Sequence, residues 1–146
     1  MDSIDKQIIT LLKENARQDD DALAGLVGID VGDIKKRIST LVSTGIIRQF
    51  TAVVDEQQVD DYPVKALVEL TISPQKDTGY DAIAKRIYRY PNVVSHYLIS
   101  GQYDFLVVVE GVDHKDIAHF VFDKLATLDH VTSTTTHFVF KSYKEH

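Results

Sequence analysis

The side chains best suited to contact a polyanion lie in one short stretch of the chain. These candidates are Lys35, Lys36, Arg37, Ser39, Thr40 and Arg48. Ammonium and guanidinium groups neutralise phosphates and can donate hydrogen bonds to guanine edges. Small hydroxyl side chains between them allow a helix to approach the floor of the major groove. The residue types therefore predict contact with double-stranded DNA.

A second group of candidates is the segment Gly101-Gln102-Tyr103-Asp104. It joins two runs rich in β-branched and aromatic residues, and so predicts the turn of an antiparallel hairpin. A glycine turn offers backbone N–H groups to a carboxylate, and Asp104 could pair with an α-ammonium group. Glycine and aspartate are also common turn residues. A ligand site and a purely structural turn both stay open as interpretations.

Three short helices must position the basic cluster. Apolar residues at helical spacing predict helices over residues 2–15, 22–27 and 30–43, the last two ending at Gly28 and Gly45. Asp2 and Asp30 are the expected caps of the first and third helices, and the last members of the run 19–21 are expected to cap the second. The tight glycine turn between the second and third helices is typical of a helix-turn-helix. An extended segment over residues 46–54 is expected to form a strand beside them.

Charge and periodicity give opposite indications for the third helix. Its apolar arc is expected to be formed by Ile34, Ile38, Leu41 and Val42, which turns Lys36, Ser39 and Thr40 outward. The whole chain carries a net charge of −6, however, and residues 1–60 hold seven Lys or Arg against eleven Asp or Glu. Such an acidic balance disfavours nucleic acid as a partner. The alternative is a solvated helix face, in an effector sensor that has lost DNA binding.

The rest of the chain predicts a two-layer α+β domain. Strands over residues 64–73, 93–100, 103–110 and 131–143, with helices over 80–90 and 113–128, follow the order β-α-β-β-α-β. This order is typical of a ferredoxin-like sandwich, in which the first and third strands are central. Pro74 and Gly79 are expected to bracket a loop. The polar segment 55–63 predicts a linker, which leaves domains at 1–54 and 64–146.

The third strand predicts an association surface. It is apolar at every position from Phe105 to Val109, which indicates a strand covered on both faces. Helices cover only one face of such a sheet. We expect the other face to carry Val107, Val109 and Ile99 or their alternates, beside Thr71 and Glu69. An exposed apolar face of this size predicts a symmetric dimer built sheet to sheet.

The composition disfavours several other classes of protein. The chain of 146 residues has no cysteine, which excludes disulfides and thiolate metal sites. It has no apolar run of membrane-spanning length and no signal segment, so we expect a cytoplasmic protein. The six histidines show no metal-ligand spacing, and no serine lies in a nucleophile elbow. His96 and His137 are predicted on opposite edges of the sheet. We therefore expect no catalytic residue, no metal and no cofactor.

Five segments of the chain follow one known pattern in order. They are Asp2-x-x-Asp5-Lys6-x-Ile8-Ile9, Ala22-Leu23-Ala24 through Val27-Gly28-Ile29, Lys36-Arg37-Ile38-x-x-Leu41 followed by Gly45-Ile46-Ile47-Arg48, Gly101-Gln102-Tyr103-Asp104-Phe105-Leu106, and Thr132–Phe138. In this order they resemble the Lrp/AsnC family of bacterial and archaeal transcription regulators, over nearly the whole chain. Sirohaem decarboxylases resemble the same fold, which leaves an enzyme as an alternative.

The resemblance implies a winged helix-turn-helix joined to an effector-binding domain of the β-α-β-β-α-β type. Members of the family form dimers that commonly assemble into octamers, and many respond to amino acids. The effector is then expected between subunits near Gly101, Gln102, Tyr103 and Asp104, with Thr134 and Thr136 nearby. The sequence departs from the family at Gln102, where an acid is usual, and at Gly32 and Asp33, where small hydroxyl residues are usual.

Overall fold

The chain folds into two compact units, residues 1–54 and 55–146. The computed structural model describes residues 1–73 and 79–145. The loop expected between Pro74 and Gly79 lies for the most part outside these residues. Within the described part of the chain, no helix has both the length and the apolar character needed to cross a membrane.

The first unit contains the three predicted helices. They are α1 (Ser3–Glu14), α2 (Asp20–Val27) and α3 (Val31–Ser43). The turn between α2 and α3 depends on Gly28, whose φ of +79° lies in the left-handed region that L side chains rarely adopt. Its N–H donates to the carbonyl of Ala24 at 2.8 Å, which ends α2. The helix-turn-helix predicted from the sequence is confirmed.

Each of the three helices begins at an aspartate whose side chain accepts a backbone N–H bond. The caps are Asp2, Asp19 and Asp30. The expected cap of α2 was wrong, because Asp19, the first member of the acidic run, accepts from the Ala22 N–H at 2.7 Å. Asp20 and Asp21 instead lie in the first turn, where their charges favour the positive end of the helix dipole.

A small apolar core holds the three helices together. Its buried side chains are Ile8, Leu12, Leu23, Ile34 and Leu41. Val42, expected on the same arc of α3, is 45% exposed. The strand expected over residues 46–54 is absent. A strand needs a second strand to pair with, and residues 1–45 are helices and turns. Ile47 instead donates its N–H to the carbonyl of Leu41 at 2.9 Å and packs against the core.

The second unit is the predicted two-layer sandwich. Its elements are β1 (Val64–Ile72), α4 (Asp81–Tyr88), β2 (Val93–Leu98), β3 (Phe105–Gly111), α5 (His114–Phe120) and β4 (Val131–Phe138). The sheet order is β2-β3-β1-β4, with every neighbouring pair antiparallel. The first and third strands are therefore central, as predicted. The segment expected as a linker holds one short 3₁₀ turn, Glu56–Gln58, and Glu56 accepts from Lys65 Nζ at 2.7 Å.

The two central strands turn alternate residues toward the helices. The helix-facing set is Ala66, Val68, Leu70 and Ile72 on β1 with Phe105, Val107 and Val109 on β3. The sequence left open whether Val107 and Val109 or their alternates face away from the helices, and the structure turns Val107 and Val109 inward. Their alternates, Leu106 and Val108, lie on the open face beside Leu67 of β1. Ile99 follows the end of β2 and belongs to the loop.

The fifth helix changes its hydrogen-bonding pattern midway. After α5 the chain continues as a π turn over Val121–Leu125, in which the N–H of Ala126 donates to the carbonyl of Val121 at 2.8 Å. A π turn holds one residue more than an α turn. Val121 and Leu125 nevertheless remain buried in the core of the sandwich.

Candidate functional site

Four of the predicted DNA-contacting side chains are exposed on α3. They are Lys35, Lys36, Ser39 and Thr40. The helix turns Ile34 and Leu41 into the core, so the opposite surface is left to these polar groups. The hydroxyl of Thr40 donates to the carbonyl of Lys36 at 3.0 Å, which leaves its oxygen able to accept. Arg48, which lies in the irregular segment after Gly45, is also exposed.

Arg37 lies on the same helix but differs from these residues in its surroundings. Its Nη1 donates to Asp2 Oδ2 at 2.8 Å and to Asp5 Oδ1 at 2.9 Å, and its Nε donates to Asp33 Oδ1 at 3.3 Å. These three carboxylates raise the pKa of Arg37, with Asp2 contributing most. The guanidinium group in turn lowers the pKa of Asp2. The side chain of Arg37 is only 23% exposed.

The segment Gly101–Asp104 forms the turn between β2 and β3, as predicted. Gly101 has a φ of +143°, and a Cβ there would meet open space, so the backbone conformation and not crowding favours glycine. Gly101 and Gln102 are exposed, whereas Tyr103 is half-buried. The exposed backbone of this turn is accessible to a small molecule.

Asp104 ties this loop to two neighbouring elements. Its Oδ2 accepts from the N–H of Ile72 at 2.7 Å, and its Oδ1 accepts from the hydroxyl of Tyr80 at 3.3 Å. Its own N–H donates to the carbonyl of Leu70 at 2.9 Å. The nearby negative charge of Asp104 raises the pKa of Tyr80. Asp104 therefore has a structural role, and the sequence, which separates it from Ile72 and Tyr80, contains no signal for that role.

The two threonines expected near the effector lie on the helix-facing side of β4. Thr134 pairs with Leu70 and Thr136 with Val68, both of which point into the core. Thr134 is two strand spacings, or about 10 Å, from Phe105, which follows Asp104. Thr136 is farther along the strand. The structure thus brings Thr134, but not Thr136, to the end of the sheet where the Gly101–Asp104 loop lies.

The hydroxyl side chains of β4 on the open face are not the predicted Thr134 and Thr136 but their neighbours along the strand. Ser133 pairs with Thr71 and Thr135 with Glu69, and both point away from the helices. His137 follows at the same face, and its Nε2 contacts Glu69 Oε2. A strict alternation along β4 was the signal that could have separated these residues from Thr134 and Thr136.

The histidines do not form a metal site in the part of the chain that the structure describes, where no group of three potential ligands comes together. His96 on β2 and His137 on β4 lie at opposite edges of the sheet, as predicted. His96 packs edge-on against Phe105 with 4.5 Å between ring centroids, and burial lowers its pKa. It is therefore a packing residue of the sandwich.

Comparisons with known proteins match two separate parts of the chain. A family model described as a winged helix-turn-helix, DNA-binding, matches residues 1–48. A second model, described as the Lrp/AsnC ligand binding domain, matches residues 65–146.

Named relatives cover nearly the whole chain. The HTH-type transcriptional regulator YugG of Bacillus subtilis is 42% identical over 139 residues, which are 94% of this chain and 84% of that protein. The HTH-type transcriptional regulator AldR of Mycobacterium tuberculosis is 29% identical over 141 residues, 97% of this chain and 78% of that protein. The transcriptional regulator NMB0573 of Neisseria meningitidis, solved as an L-Met complex, is 27% identical with a TM-score of 0.74. That match covers 99% of this chain and 93% of the solved one.

The structural role of Asp104 predicts a graded effect on stability. Asp104→Ala leaves the Ile72 N–H without its acceptor, and we expect the free energy of unfolding to fall by about 1–3 kcal/mol. Asp104→Asn keeps a carbonyl oxygen in place and should cost less. Urea denaturation of both variants measures the difference. An alanine variant with the wild-type midpoint would contradict the role.

Proposed function

The chain belongs to the Lrp/AsnC family of DNA-binding transcriptional regulators, and we propose that it reads pseudo-palindromic DNA as a dimer controlled by an amino acid. The observation that carries the proposal is the exposed polar surface of α3. Lys35 and Lys36 supply positive charge there. Ser39 and Thr40 have short side chains, so the helix can enter a major groove without steric obstruction. The acidic balance of the whole chain is compatible with this proposal because Lys35 and Lys36 are adjacent and exposed on one helix, where their charge is available locally.

We assign separate tasks to these side chains. Lys35 and Lys36 contact phosphates or guanine edges, and Ser39 and Thr40 contact base edges with their hydroxyl oxygens. Arg48, outside α3, contacts the DNA backbone. In a dimer with two-fold symmetry the two α3 helices then face half-sites about one helical turn apart, or a multiple of it.

Removing one lysine tests this assignment. Lys36→Ala deletes one phosphate contact in each subunit, so we expect weaker binding and a salt dependence lower by about 0.9 per lost contact, or roughly 2 for a dimer. Fluorescence anisotropy on a labelled duplex over a salt series measures both quantities. Lys13→Ala, the same change on the exposed surface of α1, is the matched control. If neither variant changes binding, the assigned surface is wrong; if the wild type binds no DNA at low salt, a sensor without DNA binding is favoured.

The dimer in this proposal forms through the open face of the sheet. Leu67, Leu106 and Val108 form its centre, and the half-exposed Tyr97 of β2 lies beside them. Two such faces packed together would remove these apolar side chains from water, which is the main driving force for association. By analogy with the family, further assembly to an octamer would join dimers.

A charge on the open face should separate the subunits. Val108→Lys places an ammonium group in the apolar centre, and we expect a monomer because the charge would have to be buried without a partner. Val112→Lys is the control, since Val112 is 82% exposed and lies beyond the end of β3. Multi-angle light scattering gives the mass of each. A wild-type monomer at micromolar concentration, or an unchanged mass for Val108→Lys, would contradict the interface.

The effector site that we propose is the Gly101–Asp104 loop. Backbone N–H groups of the loop receive the carboxylate of an amino acid, and Asp104 pairs with its ammonium group. Each carboxylate oxygen of Asp104 already accepts one hydrogen bond and has a second lone pair available. Gln102 lines the loop, and Thr134 lies at the same end of the sheet, whereas Thr136 is farther along β4 and is left out of the assigned group. The L-Met complex of the Neisseria meningitidis relative supports the choice of ligand class.

A thermal-shift screen of the twenty amino acids tests the effector. We expect at least one of them to raise the melting temperature, since a ligand at about 100 times its Kd stabilises by about 2.7 kcal/mol. Asp104→Asn should abolish the shift, because it keeps the carbonyl acceptor but removes the charge that the ammonium needs. Asp60→Asn removes one negative charge from an exposed residue of the same unit, as Asp104→Asn does, and serves as control. A retained shift in Asp104→Asn would place the pocket elsewhere.

A further inference from the structure

The first turn of α1 and the middle of α3 share a set of hydrogen bonds. Asp2 and Asp5 form a capping box, in which Asp2 Oδ1 accepts from the Asp5 N–H at 2.9 Å and Asp5 Oδ2 accepts from the Asp2 N–H at 3.0 Å. The second oxygen of each carboxylate accepts from Arg37 Nη1. Each aspartate therefore both starts its own helix and binds the neighbouring one.

Asp33 completes this group from the same helix as Arg37. It lies one turn before Arg37 and accepts from its Nε. We call Arg37 with Asp2, Asp5 and Asp33 the Arg37 clamp. Three carboxylates against one guanidinium leave the clamp with a net charge of −2, and a phosphate that approached Arg37 would be repelled. This environment differs from that of Lys35 and Lys36, which are exposed.

We propose that Arg37 is a positioning residue, which fixes the orientation of α3 against α1 and does not itself contact DNA. The inference rests on the proposed reading of DNA by α3. The apolar core of this unit has five buried side chains with eight partly buried ones around them, and the hydrophobic effect that holds them together is non-directional. A guanidinium group bound through Nε and Nη1 is directional, because its donors are fixed in one plane. The clamp thus supplies the orientation that the small core does not.

Orientation has a specific consequence for recognition. Base readout requires side chains to meet groove edges within hydrogen-bond distance, whereas phosphate attraction tolerates displacement. A loosened α3 should therefore lose discrimination between sequences and keep most of its general affinity for DNA. A lost phosphate contact does the reverse, since it weakens binding to all sequences alike and lowers the salt dependence.

Three variants of the full chain separate these possibilities. Arg37→Ala removes the centre of the clamp. The double variant Asp2→Asn with Asp5→Asn keeps good capping residues, because asparagine caps as well as aspartate, but weakens the bonds to Arg37. Lys36→Ala is the matched control for loss of one positive charge on α3. All are compared at a temperature at which circular dichroism shows each of them with the wild-type content of secondary structure.

The measured quantity is the ratio of affinities for two duplexes. One is the duplex that the wild type selects from a random-sequence pool, and the other is that duplex with one half-site scrambled. We expect Arg37→Ala and the Asp2/Asp5 double variant each to lower this ratio about tenfold, the effect of one mismatched base pair, with an unchanged salt dependence. Combining them should lower it little further, because both act through one clamp.

Two results would overturn the proposal. In the first, Arg37→Ala reduces the salt dependence as Lys36→Ala does, and the Asp2/Asp5 double variant binds both duplexes more tightly. Arg37 would then be a phosphate contact whose charge is partly neutralised by the carboxylates of Asp2 and Asp5. Alternatively, neither the ratio nor the salt dependence could change, and the clamp would have no effect on reading.

A measurement without DNA keeps this inference separate from the proposed function. Amide hydrogen exchange in α3 should be faster in Arg37→Ala and in the Asp2/Asp5 double variant than in the wild type or Lys36→Ala, since the helix opens more often once the clamp is gone. Unchanged exchange overturns the clamp even if the protein binds DNA. Faster exchange in a protein that selects no DNA sequence would retain the clamp and reject the assigned function.

Discussion

The pleat of the four-stranded sheet is the constraint on which the second unit depends. Because successive side chains point to opposite faces, β1 and β3 each divide their apolar residues between the helices and the open face. Leu70 and Val107 belong to the core of the sandwich, whereas Leu67 and Val108 form the surface through which we propose dimerisation. The Gly101–Asp104 loop leads from β2 into β3, and Asp104 binds it to the end of β1. A single sheet therefore bears the fold, the proposed interface and the proposed effector site.

The first unit uses charge in two distinct ways on one helix. Lys35 and Lys36 remain exposed, so that their charge is available to a polyanion, and Arg37 is engaged by carboxylates of α1 and α3. This division explains how an acidic domain can carry the surface that we propose reads DNA. Many of its negative charges lie at helix starts, where they cap or favour the helix dipole. The acidic balance of this unit therefore reflects how its helices begin, and it does not count against a basic surface on α3.

Local signals were sufficient to predict most of the architecture, and they could not show which distant residues pair. Helical spacing, glycine turns and aspartate caps act within a few residues, and the three helices and the sheet order are as expected. The apolar run of β3 has no alternation, so it could not show which face Val107 takes. Two of the three carboxylate partners of Arg37 lie 32 and 35 residues away. The link from Asp104 to Ile72 is equally distant. Such pairings depend on tertiary packing, which no short pattern records.

The π turn that follows α5 has a consequence for how this sequence can change in length. A π turn amounts to one residue inserted into an α-helix, and the residues on either side keep their helical phase. Loss of a single residue between Val121 and Leu125 would convert the segment to an ordinary α-helical turn, and Ile117, which precedes it, would still face the sheet. In the middle of a helix such a deletion rotates every later side chain by about 100°. A domain one residue shorter at this point would thus keep the part of the core that α5 contributes.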